Sequence, residues 1–198
     1  MVPWRDRYRP SIIKPKPVGY IIPQAWATTI VQRLKNNGVN VERIASERSF
    51  TVEEDSIADF KTGQQPYEGH YLHHGVRCVS KRVIRTARPG DFLVRTGQVT
   101  DRFIMETLEP EAEDSYFAWG FFDSALQQKE WFSDYVFEDI AAELLKKDPS
   151  LLAMLEKKRA SDPAFAKDAW AQLYFVYQRS PYFEASFRKY PVLRVIGE

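Results

Sequence analysis

Residues 88–123 are the stretch that most constrains what this chain can fold into. The stretch begins with a Pro-Gly pair that indicates a turn, because proline fixes φ and glycine admits positive φ, and an apolar run of strand length follows at 92–94. Thr100 then caps a predicted short helix that a proline ends. An aromatic run at 116–122 follows the helix and supplies further large apolar side chains. We therefore expect this stretch to supply core to the segments on both sides of it.

A strand, a helix and a second strand precede this stretch. The run 18–22 is apolar, residues 24–36 carry large apolar side chains at four-residue spacing, and 39–44 alternates as a half-buried strand. This order predicts that the two strands run parallel and are joined by a right-handed crossover. The glycine fingerprint of a dinucleotide site is absent after the first strand, where bulky residues and Pro23 prevent close approach of a phosphate. We therefore expect no dinucleotide here.

Residues 48–88 change to an apolar period of two, which is typical of strands. The predicted strands lie at 50–54, 57–60, 71–79 and 83–86, and polar turns between them favour antiparallel pairing. The fold class predicted from these elements is mixed α/β. A strand-helix-strand unit and antiparallel strands form a mixed sheet, and a helical C-terminal third follows.

The last third of the chain has a helical pattern. Apolar residues recur at helical spacing, and Asp-Pro pairs interrupt the pattern at 148–149 and 162–163. Residues 191–196 are predicted either to form an edge strand or to lie along the body. We expect three parts: 1–17 as a linker or surface arm, 18–125 as the mixed α/β body, and 126–198 as a helical extension and tail packed on the body.

The charges of the chain are nearly balanced, with 28 basic and 27 acidic residues and a formal net charge of +1. No overall field therefore attracts nucleic acid or an anionic membrane, and we expect no nucleic-acid partner. No apolar run is long enough to span a bilayer, and the first residues do not resemble a signal peptide, so any export signal would lie upstream. Cys78 is the only cysteine, which excludes an internal disulfide, and we interpret it as a small buried residue rather than a nucleophile.

The only histidines, His70, His73 and His74, lie close together in the chain and suggest a zinc site, since imidazole is the commonest nitrogen ligand of zinc. On a strand, however, His70 and His74 share one face while His73 points to the other. No further histidine exists to complete a site. We therefore expect no metal site in this segment, and a site at His70 and His74 is the alternative.

The sequence contains no nucleophile elbow, phosphate-binding loop or metallopeptidase helix, so no catalytic residue is predicted. The acidic run 109–114 matches no calcium-loop spacing, which favours a solvated loop. A carboxylate pair for glycoside hydrolysis stays open among the acidic residues between 114 and 139. Aromatic residues offer two interpretations, packing in a core or between domains, or a surface that stacks on sugar rings. The candidates for that surface are Trp119, Trp131 and Trp170.

Several short segments resemble one family. They lie at 18–26, 34–39, 66–70, 108–123, 182–184 and 190–192. These segments resemble the region that follows the peptidase domain in certain bacterial zinc carboxypeptidase-like proteins. The likeness extends over nearly all of the chain from Pro17 onward and is most distinctive at 108–123.

The resemblance implies an exported bacterial parent, periplasmic or secreted, that is a zinc metallocarboxypeptidase. Its upstream domain would resemble carboxypeptidase A and hold zinc through a His-x-x-Glu pair and a distant His. None of these ligands is present here, because His70 is followed three positions later by His73 rather than by Glu. The resemblance therefore implies a non-catalytic accessory domain, with no cofactor of its own, that packs on or presents the peptidase domain of the same chain. The alternative is a carbohydrate- or peptidoglycan-binding module, with a glycan or peptide as its partner.

Overall fold

The computed structural model describes Pro10 and residues 12–197, which form two compact units. The first unit contains the described residues up to Gln127 and those from Arg188 onward. The second unit consists of residues from Gln128 to Phe187. The predicted arm at 1–17 lies largely outside the described residues, which include only Pro10 and 12–17 of it.

The first unit is built on one six-stranded sheet. Its strands are β1 (Gly19–Ile22), β2 (Glu42–Arg43), β3 (Arg48–Thr62), β4 (His73–Ala87), β5 (Phe92–Arg95) and β6 (Leu193–Gly197). The strand order is β2-β5-β1-β6-β3-β4, and each neighbouring pair is antiparallel. With the helices of the C-terminal part, this sheet confirms the predicted mixed α/β class.

The predicted strand-helix-strand unit is present as β1, α1 (Gln24–Asn36) and β2. Its two strands run in the same direction, since both pair antiparallel with β5, which lies between them. They are therefore not hydrogen-bonded to each other, and the pairing of the sheet is antiparallel rather than mixed. One face of α1 is buried through residues at helical spacing, namely Ala27, Ile30, Val31 and Leu34.

The region between 48 and 88 forms fewer and longer strands than its pattern predicted. β3 and β4 are each 15 residues long and pair along nearly their whole length. The register shifts between Ile57 and Asp59 and again between Asp59 and Lys61. The predicted breaks at 55–56 and 80–82 do not coincide with these shifts. They lie where the two strands pair in regular register, because polar residues there continue the strands instead of forming turns.

The tail strand β6 lies inside the sheet, between β1 and β3, and is not an edge strand. Its Val195 is fully buried and pairs with Gly19 on one side and with Val52 on the other. The final residues thus complete the sheet of the first unit, although the intervening helices belong to the second unit.

The stretch 88–123 lies in the core of the first unit, as predicted. It contributes β5, α2 (Asp101–Leu108) and a series of turns that bury Phe117 and Phe122. Thr100 occupies the N-cap position of α2, as predicted, but its hydroxyl forms no cap hydrogen bond. The carboxylate of Asp101 accepts instead from the backbone N–H groups of Gly97 and Gln98, which closes the turn before the helix.

The second unit is helical. Its helices are α3 (Asp134–Lys147), α4 (Pro149–Ser161), α5 (Pro163–Lys167) and α6 (Ala169–Tyr177). The last three each begin after an aspartate whose carboxylate accepts hydrogen bonds from the first turn, namely Asp148, Asp162 and Asp168. The Asp-Pro pairs therefore end one helix and start the next, as expected where proline occupies the first helical position.

Candidate functional site

The structure separates the three histidines that the sequence places together. His70 lies in the turn before β4, and the centroid of its ring is 5.5 Å from that of Trp119 and 5.8 Å from that of Phe121. His73 and His74 begin β4, where His73 is buried and His74 is exposed. His70 does not share a strand face with His74, because its backbone belongs to the turn.

The residues present do not fit the zinc ligands of a carboxypeptidase. Within Pro10 and residues 12–197, no three His, Cys, Asp or Glu side chains are grouped so that they could hold a metal ion. His70 packs against aromatic rings, and both ring nitrogens of His73 are engaged by protein groups. Zinc in a separate upstream domain stays a prediction.

A chain of hydrogen bonds through His73 was missed by the sequence analysis. Its Nδ1 lies 3.0 Å from the Thr62 hydroxyl, and its Nε2 lies 2.8 Å from Asp123 Oδ1. In nucleophilic catalysis the base is oriented by a buried acid, whereas the Asp123 side chain is 58% exposed and the imidazole is buried beneath Phe60 and Phe117. The arrangement joins β3, β4 and the aromatic turns, and we interpret it as structural.

A polar row crosses the middle of the sheet in the first unit. Strand register places Tyr20 of β1 opposite Arg194 of β6, and Arg194 opposite Glu53 of β3. The guanidinium of Arg194 donates to Glu53 and, over 2.7 Å, to Oε1 of Glu109. The Tyr20 hydroxyl donates to the same Glu109 oxygen over 2.6 Å. The row thereby fixes the end of α2 on the sheet.

A cluster of three carboxylates around Lys14 adjoins this row. The Lys14 ammonium lies 2.8 Å from Glu111 Oε2, 3.4 Å from Glu109 Oε2 and 3.9 Å from Asp55 Oδ2. Asp55 also accepts a hydrogen bond from the Ser80 hydroxyl. Lys14 belongs to the extended segment that precedes β1, so the cluster holds that segment on the first unit.

Two oxygens of this cluster, Asp55 Oδ2 and Glu109 Oε2, are buried and accept no hydrogen bond in the described part of the chain. The positive charge of Lys14 lies 3.9 and 3.4 Å from these two oxygens, and Arg194 pairs with the other oxygen of Glu109. A cavity of about 370 Å³ opens beside Lys14 and is also lined by Arg102 and Glu106. Because the acidic groups of the cluster are already engaged by cations and donors, we interpret the cluster as a structural clamp rather than as an acid-base pair.

Burial and charge act in opposite directions on the pKa values of this clamp. Burial alone would lower the pKa of Lys14, but its hydrogen bond to Glu111 and the nearby charges raise it above the ordinary value. Burial alone would raise the pKa of Glu111, but hydrogen bonds from Lys14 and from the Cys78 backbone N–H hold it below the ordinary value. Both groups are therefore charged at neutral pH.

Replacing Lys14 with methionine is expected to destabilise the first unit by about 2 kcal/mol at pH 7, because buried carboxylates lose their cation. In the natural chain, the lowered pKa of Glu111 contributes stability above pH 4.5 that is lost as the pH falls through its folded pKa. Without Lys14, the pKa of Glu111 should lie closer to its unfolded value, although the hydrogen bond from Cys78 remains. The variant should therefore lose less stability than the natural chain as the pH falls through this range.

Pulse labelling of the single cysteine, Cys78, during urea unfolding measures this stability, since Cys78 lies in the first unit. The matched control is Lys16→Met. Lys16 belongs to the same segment, but its side chain is 55% exposed and pairs with Asp101. This control should change the stability of the first unit little, because a surface ion pair contributes little. A Lys14→Met variant with the stability and pH profile of the natural chain would contradict the clamp.

Cys78 is partly buried rather than buried as predicted, but its surroundings disfavour the thiolate, in keeping with a non-nucleophilic thiol. Burial, followed by the charges of Asp55 and Glu111, raises the pKa of the Cys78 thiol to about 12. The reactive form of cysteine is the thiolate, so a thiol with this pKa is inert at neutral pH in the folded state.

The three tryptophans proposed as a ligand surface fall in two places. Trp119 belongs to the first unit, where its indole N–H donates to Asp114 over 2.6 Å and its ring faces Tyr67. Trp131 and Trp170 meet in the second unit, with ring centroids 6.2 Å apart and an interplanar angle of 30°. The structure therefore brings two of the three together and leaves Trp119 out of that pair.

Comparison with known proteins gives one partial likeness. A segment of 111 residues, 56% of this chain, is 30% identical to Carboxypeptidase 2 of Trichophyton rubrum. This region is similar to part of a fungal carboxypeptidase. The segment corresponds to 20% of that protein, so the chain spans about a fifth of the length of the curated relative it matches. No protein-family model and no solved structure matches the chain.

None of the helices formed by the described residues has both the length and the apolar character that crossing a membrane requires.

Proposed function

We propose that this chain is a non-catalytic accessory domain of an exported carboxypeptidase-like protein, packing on or presenting a separate zinc-dependent peptidase domain. The observation that carries the proposal is the 30% identity to a segment amounting to 20% of a fungal carboxypeptidase. A region of that size is much smaller than the relative, which leaves room for a peptidase domain elsewhere in such a protein. The bacterial origin and the periplasmic or secreted location belong to the same proposal.

The side-chain contacts of the first unit support a structural rather than a catalytic role. The acidic groups that lie deepest are paired with Arg194 and Lys14. The buried imidazole of His73 bonds protein groups through both nitrogens. A general base or nucleophile must instead be within reach of a substrate.

The test combines an activity assay with a binding assay. The purified 198-residue chain should not hydrolyse peptides with a free C-terminus, with or without added zinc. Mixed with the zinc-peptidase domain encoded in the same reading frame, it should form a one-to-one complex in analytical ultracentrifugation. Zinc-dependent turnover that is lost on replacing His70 and His74 with alanine would contradict the non-catalytic role. Absence of any complex would contradict the accessory role.

A further inference from the structure

The second unit carries a group of nearly parallel aromatic rings at its surface. Trp170 and Tyr174 have ring centroids 5.1 Å apart at an interplanar angle of 13°, and Trp131 lies 5.7 Å from Tyr174 at 19°. The side chains of Trp131 and Trp170 are 57% and 44% exposed. Phe132 also stacks on Trp170, with ring centroids 6.1 Å apart at 20°. Large indoles with this exposure are uncommon in a core, and the exposed part of each indole presents apolar area to solvent.

A cavity of about 510 Å³ adjoins these rings, between α3, α4 and α6. Trp170 forms part of its wall, and the buried side chains of Ala141, Leu155 and Val176 line it from the same unit. This volume is within the range of about 300–1,000 Å³ that is typical of small-molecule sites. The cavity can therefore accept a group of the size of a few sugar rings or a short peptide.

The polar lining of the cavity contains both acceptors and donors. Asp134 and Glu138 lie four positions apart on α3, so their carboxylates occupy one face of that helix. Arg159, which lines the same cavity, donates through Nε to Gln172 Oε1 over 2.7 Å and through a terminal nitrogen to Glu156 over 2.6 Å. These hydrogen bonds hold the guanidinium in place, which reduces the entropy lost when a ligand binds.

We propose that this cavity and the rings of Trp131 and Trp170 bind a neutral oligosaccharide. A pyranose ring has an apolar C–H face, which suits an exposed indole, and a rim of hydroxyls, which both donate and accept. The lining supplies carboxylate acceptors from Asp134 and Glu138 and a guanidinium donor from Arg159 within one cavity. A protein partner is less well matched, because the centres of protein interfaces are depleted in aspartate and glutamate, whereas Asp134 and Glu138 line the same cavity as Trp170.

The inference is independent of the proposed accessory role, since it concerns a small ligand and the second unit alone. It is tested by fluorescence and calorimetric titration of the whole chain with maltohexaose, cellohexaose and chitohexaose. At least one of these neutral oligosaccharides should give a saturable change in tryptophan fluorescence and in the heat of binding. Trp170→Ala and Trp131→Ala should each weaken that binding about ten-fold or more, while Trp170→Phe should retain most of it.

Trp119→Ala is the matched control, because it removes an indole of the first unit and should leave the affinity unchanged. Circular dichroism establishes that each variant keeps its helices. The inference is overturned if none of the three sugars binds, if binding survives both alanine replacements, or if Trp119→Ala reduces it equally. Binding of the separate peptidase domain that requires Trp131 and Trp170, without any sugar binding, would assign the surface to a protein partner and also overturn it.

Discussion

Replacing Arg194 with methionine is expected to destabilise the first unit by about 3–5 kcal/mol, because breaking a buried ion pair leaves an uncompensated charge. Arg194 donates to Glu109 over 2.7 Å and to the backbone carbonyl of Pro15 over 2.7 Å, and it also pairs with Glu53. Its side chain is 8% exposed and that of Glu109 is 6% exposed, so water screens this pair little. Methionine preserves much of the volume, so the loss should report the charge and hydrogen bonds rather than a cavity.

The control for this variant is Arg82→Met, one strand further along the same row of the sheet. Arg82 lies opposite Glu53 and approaches it to 3.9 Å, but its side chain is 71% exposed. Its replacement should cost less than about 1 kcal/mol. The measurement is pulse labelling of Cys78 in urea, which reports the first unit directly. Equal losses in the free energy of unfolding for the two variants would show that the buried ion pairs of Arg194 stabilise the first unit no more than a surface ion pair does.

Replacing Gly19 with alanine is expected to destabilise the first unit by about 3 kcal/mol or more, since overpacking between fixed backbones cannot be relieved by a side chain. A Cβ added at Gly19 would lie 2.6 Å from the carbonyl oxygen of Val94 and 3.1 Å from the Cα of Arg95. Gly19 is in β1, which is paired on both edges with β5 and β6, so neither neighbour is free to move away.

Gly197→Ala is the matched control, because this glycine also lies in a strand of the same sheet. A Cβ at Gly197 would meet only the side chain of Thr51, at 3.7 Å, which is ordinary contact. Its replacement should change the free energy of unfolding by less than about 0.5 kcal/mol. The measurement is the urea concentration at the midpoint of unfolding, compared between the two variants. A Gly19→Ala chain as stable as the Gly197→Ala chain would mean that β5 can shift, contrary to the pairing seen here.

The elements that the sequence located well are those with a strong local pattern. The predicted helix 24–36 corresponds to α1, and the predicted strand at 92–94 lies within β5. The Asp-Pro pairs fell at helix boundaries because proline cannot continue a helix, whatever it packs against. By contrast, the predicted strand at 39–44 is reduced to the two residues of β2, because its pairing with β5 is that short.

The candidate sites were predicted less completely than the fold. Trp131 and Trp170 were named as possible sugar-stacking residues, but their contact depends on how α6 packs in the second unit. The clamp around Lys14 was not foreseen at all. Its carboxylates come from β3 and from the loop after α2, and each is an ordinary acidic residue in the printed sequence. The only local signal was the acidic run at 109–114, which the sequence analysis interpreted as a solvated loop.

By itself, the sequence determined the local periods of apolar residues, the turns at proline and glycine, and the lack of any known catalytic motif. These are properties of neighbouring residues and need no partner. Only the tertiary structure decided that β6 enters the middle of the sheet and that Arg194 meets Glu53, which is 141 positions away. Such pairings arise from the summed burial and hydrogen bonding of whole strands, so no short window of the sequence contains them.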